Sequence, residues 1–118
     1  MEKFVINTPL TGEYLTTVRL TTGGLCALAQ FDVEATEDFK VCVTESLLIL
    51  KRSGFVGASI TFGVGEVLSC KIVGEGEPMQ AEGGAEDEIS YALLLALIGK
   101  VDFEKNEQGR VKAIAFEG

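Results

Sequence analysis

Apolar residues recur along this chain with two different periods, and the switches between them divide it into short elements. Phe4-Val5-Ile6 is a brief apolar run stopped by Asn7-Thr8-Pro9, which predicts a strand. From Gly12 the spacing changes to three and four. Leu15, Val18, Thr22, Leu25 and Ala29 make one stripe of a long helix. Gly23-Gly24 interrupts that helix and is expected to kink it, at about 1 kcal/mol per glycine relative to alanine. Asp32 to Ala35 reads as a connector. Thr36 suits the N-cap of a second helix, with Glu37 and Asp38 in its first turn, where acids favour the helix dipole. That helix is expected to run to about Ser53, with Lys51 and Arg52 in the last turn and Gly54 as its stop. Phe39, Cys42, Val43, Leu47 and Leu50 line its predicted core face.

The pattern then turns to period two. Val56, Ala58, Ile60, Phe62 and Val64 alternate with small residues, the mark of a strand with one buried face. Gly63-Val64-Gly65-Glu66 supplies a turn, and Leu68, Cys70 and Ile72 complete a hairpin. Residues 74–87 are acidic and rich in glycine and read as a mobile loop. A helix is expected from about Asp87 to Gly99, then a hairpin of 101–104 and 111–116 around Asn106-Glu107-Gln108-Gly109. The order β-α-α-β-β-α-β-β predicts one α+β domain over 1–118. It is a two-layer sandwich in which three helices cover one face of a mixed, mostly antiparallel sheet of about five strands.

The last helix is apolar beyond what one sheet requires. Ile89, Ala92, Leu93, Ala96 and Leu97 form one stripe, assigned to the core; Tyr91, Leu94, Leu95 and Ile98 form a second. The second stripe is either covered by neighbouring helices or left as a surface for a partner or a second copy. Thr16-Thr17 and Thr21-Thr22 are unusual inside a helix and either bond back to the backbone or sit at an interface.

Composition narrows the chemistry. The absence of histidine excludes Ser-His-Asp and Cys-His mechanisms, histidine-ligated metals and phosphohistidine transfer. Cys26, Cys42 and Cys70 show no metal or CxxC spacing and stand in apolar periodic stretches, so they are expected to be buried free thiols of a reducing compartment. A net charge of −8 disfavours nucleic acid and anionic membrane as partners. Met1 to Ile6 lacks the basic and long apolar regions of a signal peptide. The longest apolar run, Ala92 to Ile98, is far short of the roughly 20 residues that span a bilayer, so the expected location is the cytoplasm.

Three stretches carry a resemblance over nearly the whole chain: Arg19 in the first helix, Asp38 to Ser46 in the second, and Leu93 to Val101 near the end. In order and spacing they resemble the anti-sigma-factor serine kinases, a branch of the GHKL ATPase superfamily that includes histidine-kinase catalytic domains. The resemblance implies a histidine-kinase-like ATPase fold and three nucleotide-binding constellations, each altered here. The family's helix carries Glu and, four residues on, a magnesium-holding Asn; this chain has Glu45 and Ile49. An apolar side chain cannot ligate a cation that demands oxygen. An Asp-x-Gly-x-Gly turn, whose Asp reads adenine, is matched by Gly74-Glu75-Gly76-Glu77-Pro78. A Gly-Leu-Gly-Leu turn, whose amides cradle phosphate at a helix N-terminus, is matched by Glu88-Ile89-Ser90-Tyr91, with Glu86, Asp87 and Glu88 crowding acids into that place.

The resemblance with its losses implies a pseudo-kinase: a non-catalytic regulatory module that needs no cofactor, forms a homodimer and binds a sigma factor or an anti-sigma antagonist. Glu45 is the residual acid of the catalytic helix, and 74–87 is what remains of a nucleotide lid. Arg19, in the helix that grips the partner in that family, joins Tyr91, Leu94, Leu95 and Ile98 as the candidate partner surface. Two alternatives stand beside it: an active serine kinase with divergent motifs, using ATP and magnesium, and a structural domain with an unknown ligand.

Overall fold

Alternation and helical spacing organise the chain much as the pattern predicts, and the computed structural model describes residues 2–79 and 85–118. The elements are β1 (Glu2–Pro9), α1 (Gly12–Leu28), α2 (Val33–Arg52), β2 (Gly57–Val64), β3 (Leu68–Glu75), α3 (Ala85–Ile98), β4 (Val101–Lys105) and β5 (Val111–Glu117). The five strands form one sheet in the order β1-β2-β3-β5-β4. Every adjacent pair is antiparallel, so the expectation of a mixed sheet is corrected. Two helices between β1 and β2 bring the chain back to the end of the sheet where β1 finished, so β2 starts beside Pro9 and runs antiparallel to β1. The single helix after β3 gives β4 the direction of β3, but β5 folds back between them and pairs antiparallel with both.

The helices form one layer, with α2 in the middle touching α1, α3 and strands β2, β3 and β5. The sheet presents Ala58, Ile60, Phe62, Leu68, Cys70, Ile72, Ile114 and Phe116 to that layer, all buried. They meet Phe39, Cys42, Val43, Leu47 and Leu50 of α2, the core face expected from the pattern. Val18, Thr22, Leu25 and Cys26 bury the stripe of α1. Phe39 joins α2 to β5 through an edge-on contact with Phe116, ring centres 5.2 Å apart.

Several boundaries differ from expectation for physical reasons. β1 continues through Asn7-Thr8-Pro9, because a proline is tolerated where its missing N–H faces away from the ladder. Helix α1 is unbroken at Gly23-Gly24. A Cβ at Gly23 would lie 2.9 Å from Cε of Lys40, so the glycine there admits the side chain of the neighbouring helix. Asp32, not Thr36, caps α2: its Oδ1 accepts from the Ala35 amide at 2.7 Å. Both are good capping residues, and the earlier one starts the helix in the segment expected as a connector. Val56 lies outside β2 and is exposed. Thr21 and Thr22 do bond back, to the carbonyls of Thr17 and Val18.

Helix α3 is rotated relative to the expected assignment. Leu94 is fully buried, Ser90 is buried, and Tyr91, Leu97 and Ile98 pack against the core, whereas Ile89 and Leu95 are exposed. Leu94 is therefore removed from the candidate partner surface, and Ile89 from the core. A helix apolar all round has no pattern that orients it. Arg52 of α2 supplies the orientation: its Nε donates to Asp87 Oδ1 at 2.5 Å and its Nη2 to Ser90 Oγ at 2.6 Å. Asp87, Ser90, Tyr91, Leu94 and Ile98 lie along one helical stripe, and holding the first two turns the rest inward.

Candidate functional site

The residues that match the three motifs of the resemblance lie on α2, near the end of β3 and in α3. Glu45 and Ile49 lie one turn apart on α2. Glu45 is half-buried; burial first, then the charges of Asp38 and Glu45, raise the thiol of Cys42. Ile49 is fully enclosed in the core. Position 49 thus offers hydrocarbon and belongs to the packing between elements, with no oxygen for a hard cation.

Gly74 stands near the end of β3, opposite Ala58 of β2. The ring of Phe55 fills the space in front of it: a Cβ at Gly74 would come within 2.6 Å of Cγ. Phe55 is buried, held by its amide donating to the Leu50 carbonyl at 3.1 Å. A carboxylate at position 74 has no room beside that ring. Phe55 was not among the expected site residues. Its signal was a lone aromatic wedged between the helix stop Gly54 and the strand.

The segment after β3 folds over the same place. The Met79 amide donates to the Gly54 carbonyl at 2.9 Å, and the Met79 carbonyl accepts from Arg110. Gly54 has φ +101°, and its bare Cα lies under the Met79 backbone, so only glycine fits there on both counts. Gly74 and Glu75 lie in β3, Gly76 has φ +82°, and Met79 is tied down. Of the stretch 74–87 that the sequence predicts as a loop, Gly74 and Glu75 are thus strand and Ala85 to Asp87 are helix, and residues 80–84 lie outside the described residues.

The third constellation is relocated. Glu88, Ile89, Ser90 and Tyr91 are inside α3, which begins at Ala85, not in a turn that enters it. Their amides lie past the start of the helix and are not a cradle. Nor is Asp87 a loose acid: it is 15% exposed at its side chain and paired with Arg52, which offsets its charge. Glu88 is exposed. Tyr91 packs edge-on against Phe103, ring centres 5.0 Å apart. Burial first, then the nearby Asp87 charge, raises the Tyr91 hydroxyl above its ordinary pKa, and Arg52 lowers it.

Among the remaining candidates, Arg19 is exposed on α1, Leu95 is exposed on α3, and Tyr91 and Ile98 are half-buried. Arg19 and the α3 residues lie on helices at opposite sides of α2, so the expected partner surface divides into two. The three cysteines are free and buried, as expected. Burial raises Cys26 to about 11 and Cys42 to about 12, and Cys70 higher still. These thiols stay protonated near neutrality, which makes them poor nucleophiles and poor metal ligands. Among the described residues no acid or cysteine cluster is arranged to hold a metal, and no helix is long and apolar enough to cross a membrane. No protein-family model matches the chain, and the search of curated proteins finds no match.

Proposed function

We propose that this chain is a non-catalytic regulatory protein-binding module, resembling an anti-sigma factor of the GHKL type, whose nucleotide chemistry has been replaced by packing. The observation that carries the reading is the Phe55 ring seated against Gly74, where the family's adenine-reading carboxylate belongs. Ile49 buried in the core supports it at the metal position. The relocation of Glu88 to Tyr91 into the body of α3 supports it at the phosphate position. In this reading Glu45 is an acid with no bound phosphoryl donor to act with. Its partner is a sigma factor or an anti-sigma antagonist, engaged by a homodimer through the exposed Arg19 side of α1.

The test is thermal unfolding with and without magnesium-ATP. A functional site filled to a hundred times its Kd stabilises by about 2.7 kcal/mol and raises the melting temperature by several degrees. The proposal expects no shift at millimolar nucleotide; a clear rise overturns it. The binding half is tested by titrating sigma factor from the same source onto the wild type and Arg19→Glu. Saturable binding weakened by the substitution supports it, and no binding to either chain counts against it.

A further inference from the structure

The three helices cover one face of the sheet, and among the described residues no element covers the other. Register fixes what that outer face carries. Ile60, Phe62, Cys70, Ile72, Ile114 and Phe116 turn to the helices, so alternation turns their neighbours outward. Two rows cross the outer face side by side. One is Lys3, Gly63, Ser69 and Glu117. The other is Val5, Thr61, Lys71, Ala115 and Asp102. Lys100 precedes Val101, which pairs with Phe116, so it stands level with Glu117.

Thr61, Gly63, Ser69 and Ala115 are small, so the middle of these rows lies low, and Lys3, Lys71 and Lys100 rise around it. The result is a trough of about 570 Å³, within the roughly 300–1,000 Å³ of small-molecule sites. The chain has 10 cations against 18 acids, yet three of the cations gather here. Among the described residues, none of the three forms an ion pair. Lys100 shares the far wall with Glu117 and Asp102, whose charges offset it. Between Lys3 and Lys71 the register places only Gly63, Thr61 and Ser69. Sheet spacing sets the two lysine Cα atoms about 12 Å apart, so both ammonium groups reach the space above Gly63 and Ser69.

We propose that this trough binds a small dicarboxylate, with Lys3 holding one carboxylate and Lys71 the other, and with the Thr61 and Ser69 hydroxyls as further donors. The inference goes beyond the proposed function and does not rest on it. Charge selects an anion, and two separated ammonium groups favour two separated negative charges over one. The backbone selects carboxylate over phosphate. Phosphate is characteristically cradled by free amides at a helix N-terminus or a nest. Here β2 and β3 are interior strands, and their amides are engaged in ladders on both sides. The surrounding acids select a short ligand. An acidic chain that continues along the row past Ser69 meets Glu117, and one that continues past Lys71 meets Asp102. A net charge of −8 also repels a long polyanion. Both lysines are exposed, so the binding is weak and falls as salt screens it.

The test is a titration of the full chain with succinate at low ionic strength, followed by amide resonances, with acetate at matched ionic strength as the control. Succinate is expected to shift the amides of Gly63, Ser69 and Lys71 saturably, and acetate to bind more weakly. Lys3→Ala and Lys71→Ala are each expected to weaken succinate about two- to fivefold, and the double variant roughly tenfold. Both side chains are exposed, so the circular dichroism of the variants is expected to match the wild type. Three results overturn the proposal: no saturable shift, shifts confined to the helical face, or an affinity that neither substitution changes. Tighter binding of inorganic pyrophosphate than of succinate refutes the carboxylate class. Binding of a glutamate-rich peptide in the trough without binding of succinate refutes the small ligand. No nucleotide enters this titration, so the dicarboxylate site and the pseudo-kinase reading fail separately.

Discussion

The Phe55 ring and Gly74 are packed so tightly that a single methyl group at position 74 would stand 2.6 Å from Cγ and 2.7 Å from both Cδ atoms. The two residues define each other. Gly74 has no side chain because the ring is there, and the ring is enclosed because position 74 gives way. Gly74→Ala is expected to cost on the order of 1–3 kcal/mol through overpacking. Phe55→Ala is expected to cost about 3–5 kcal/mol through the cavity it leaves. In the double variant the methyl group enters that cavity, so the loss is smaller than the sum of the two. Urea unfolding of the three variants measures this, and strict additivity refutes the contact.

Arg52 holds Asp87 at the start of α3, and both side chains are largely buried. Arg52→Met strands that carboxylate and is expected to cost about 2–3 kcal/mol, below the figure for a fully buried pair because some solvent reaches both groups. Adding Asp87→Asn is expected to recover part of the loss. Arg52 also lowers the pKa of Tyr91. In a Tyr14→Phe background, the tyrosinate absorbance is expected to appear at higher pH once Arg52 is replaced. An unchanged titration argues against the contact.

The rotation of α3 makes neighbouring leucines unequal. Leu94 is fully buried and Leu95 is 51% exposed. Leu94→Ala is expected to destabilise by about 2–5 kcal/mol and Leu95→Ala by no more than about 0.5 kcal/mol. The opposite ranking in chemical denaturation refutes this orientation of α3.

The thiols set an alkaline limit. Cys26 titrates near 11 and Cys42 near 12 in the folded chain, against an ordinary value of 9.0. Raised folded values mean that the unfolded chain loses these protons first. The stability they contribute is complete below pH 9 and is lost as pH rises from 9 towards 11–12, at about 1.4 kcal/mol per pH unit for each thiol. A Cys42→Ala variant is expected to show a shallower fall over that window than the wild type. Equal slopes count against burial as the cause. Thiol reagents at neutral pH are expected to react only after denaturant is added.

The elements that bury one clear face were legible in the sequence. The α2 stripe from Phe39 to Leu50 and the alternation from Ala58 to Ile72 each admit one orientation, and both pack as expected. Helix α3 was not legible in this way. With Ile89, Leu93, Leu94, Leu95 and Leu97 spread around it, the choice of face fell to Arg52, a residue thirty-five positions from Asp87. The departures from the resembled motifs were visible in the sequence, but what packs at Gly74 was not. Phe55 reaches Gly74 only because the α2–β2 turn and the end of β3 are neighbours in space.

The sequence by itself determined the succession of strands and helices, the two hairpins, the main core stripe and the burial of the three thiols. Each follows from local periodicity or side-chain chemistry carried within one segment. Only the tertiary structure decided the strand order, the face that α3 turns to the core, the cap that starts α2 and the ring that closes over Gly74. Each of these is a competition between segments distant in the chain, settled by steric fit and by a few long-range hydrogen bonds that no local pattern encodes.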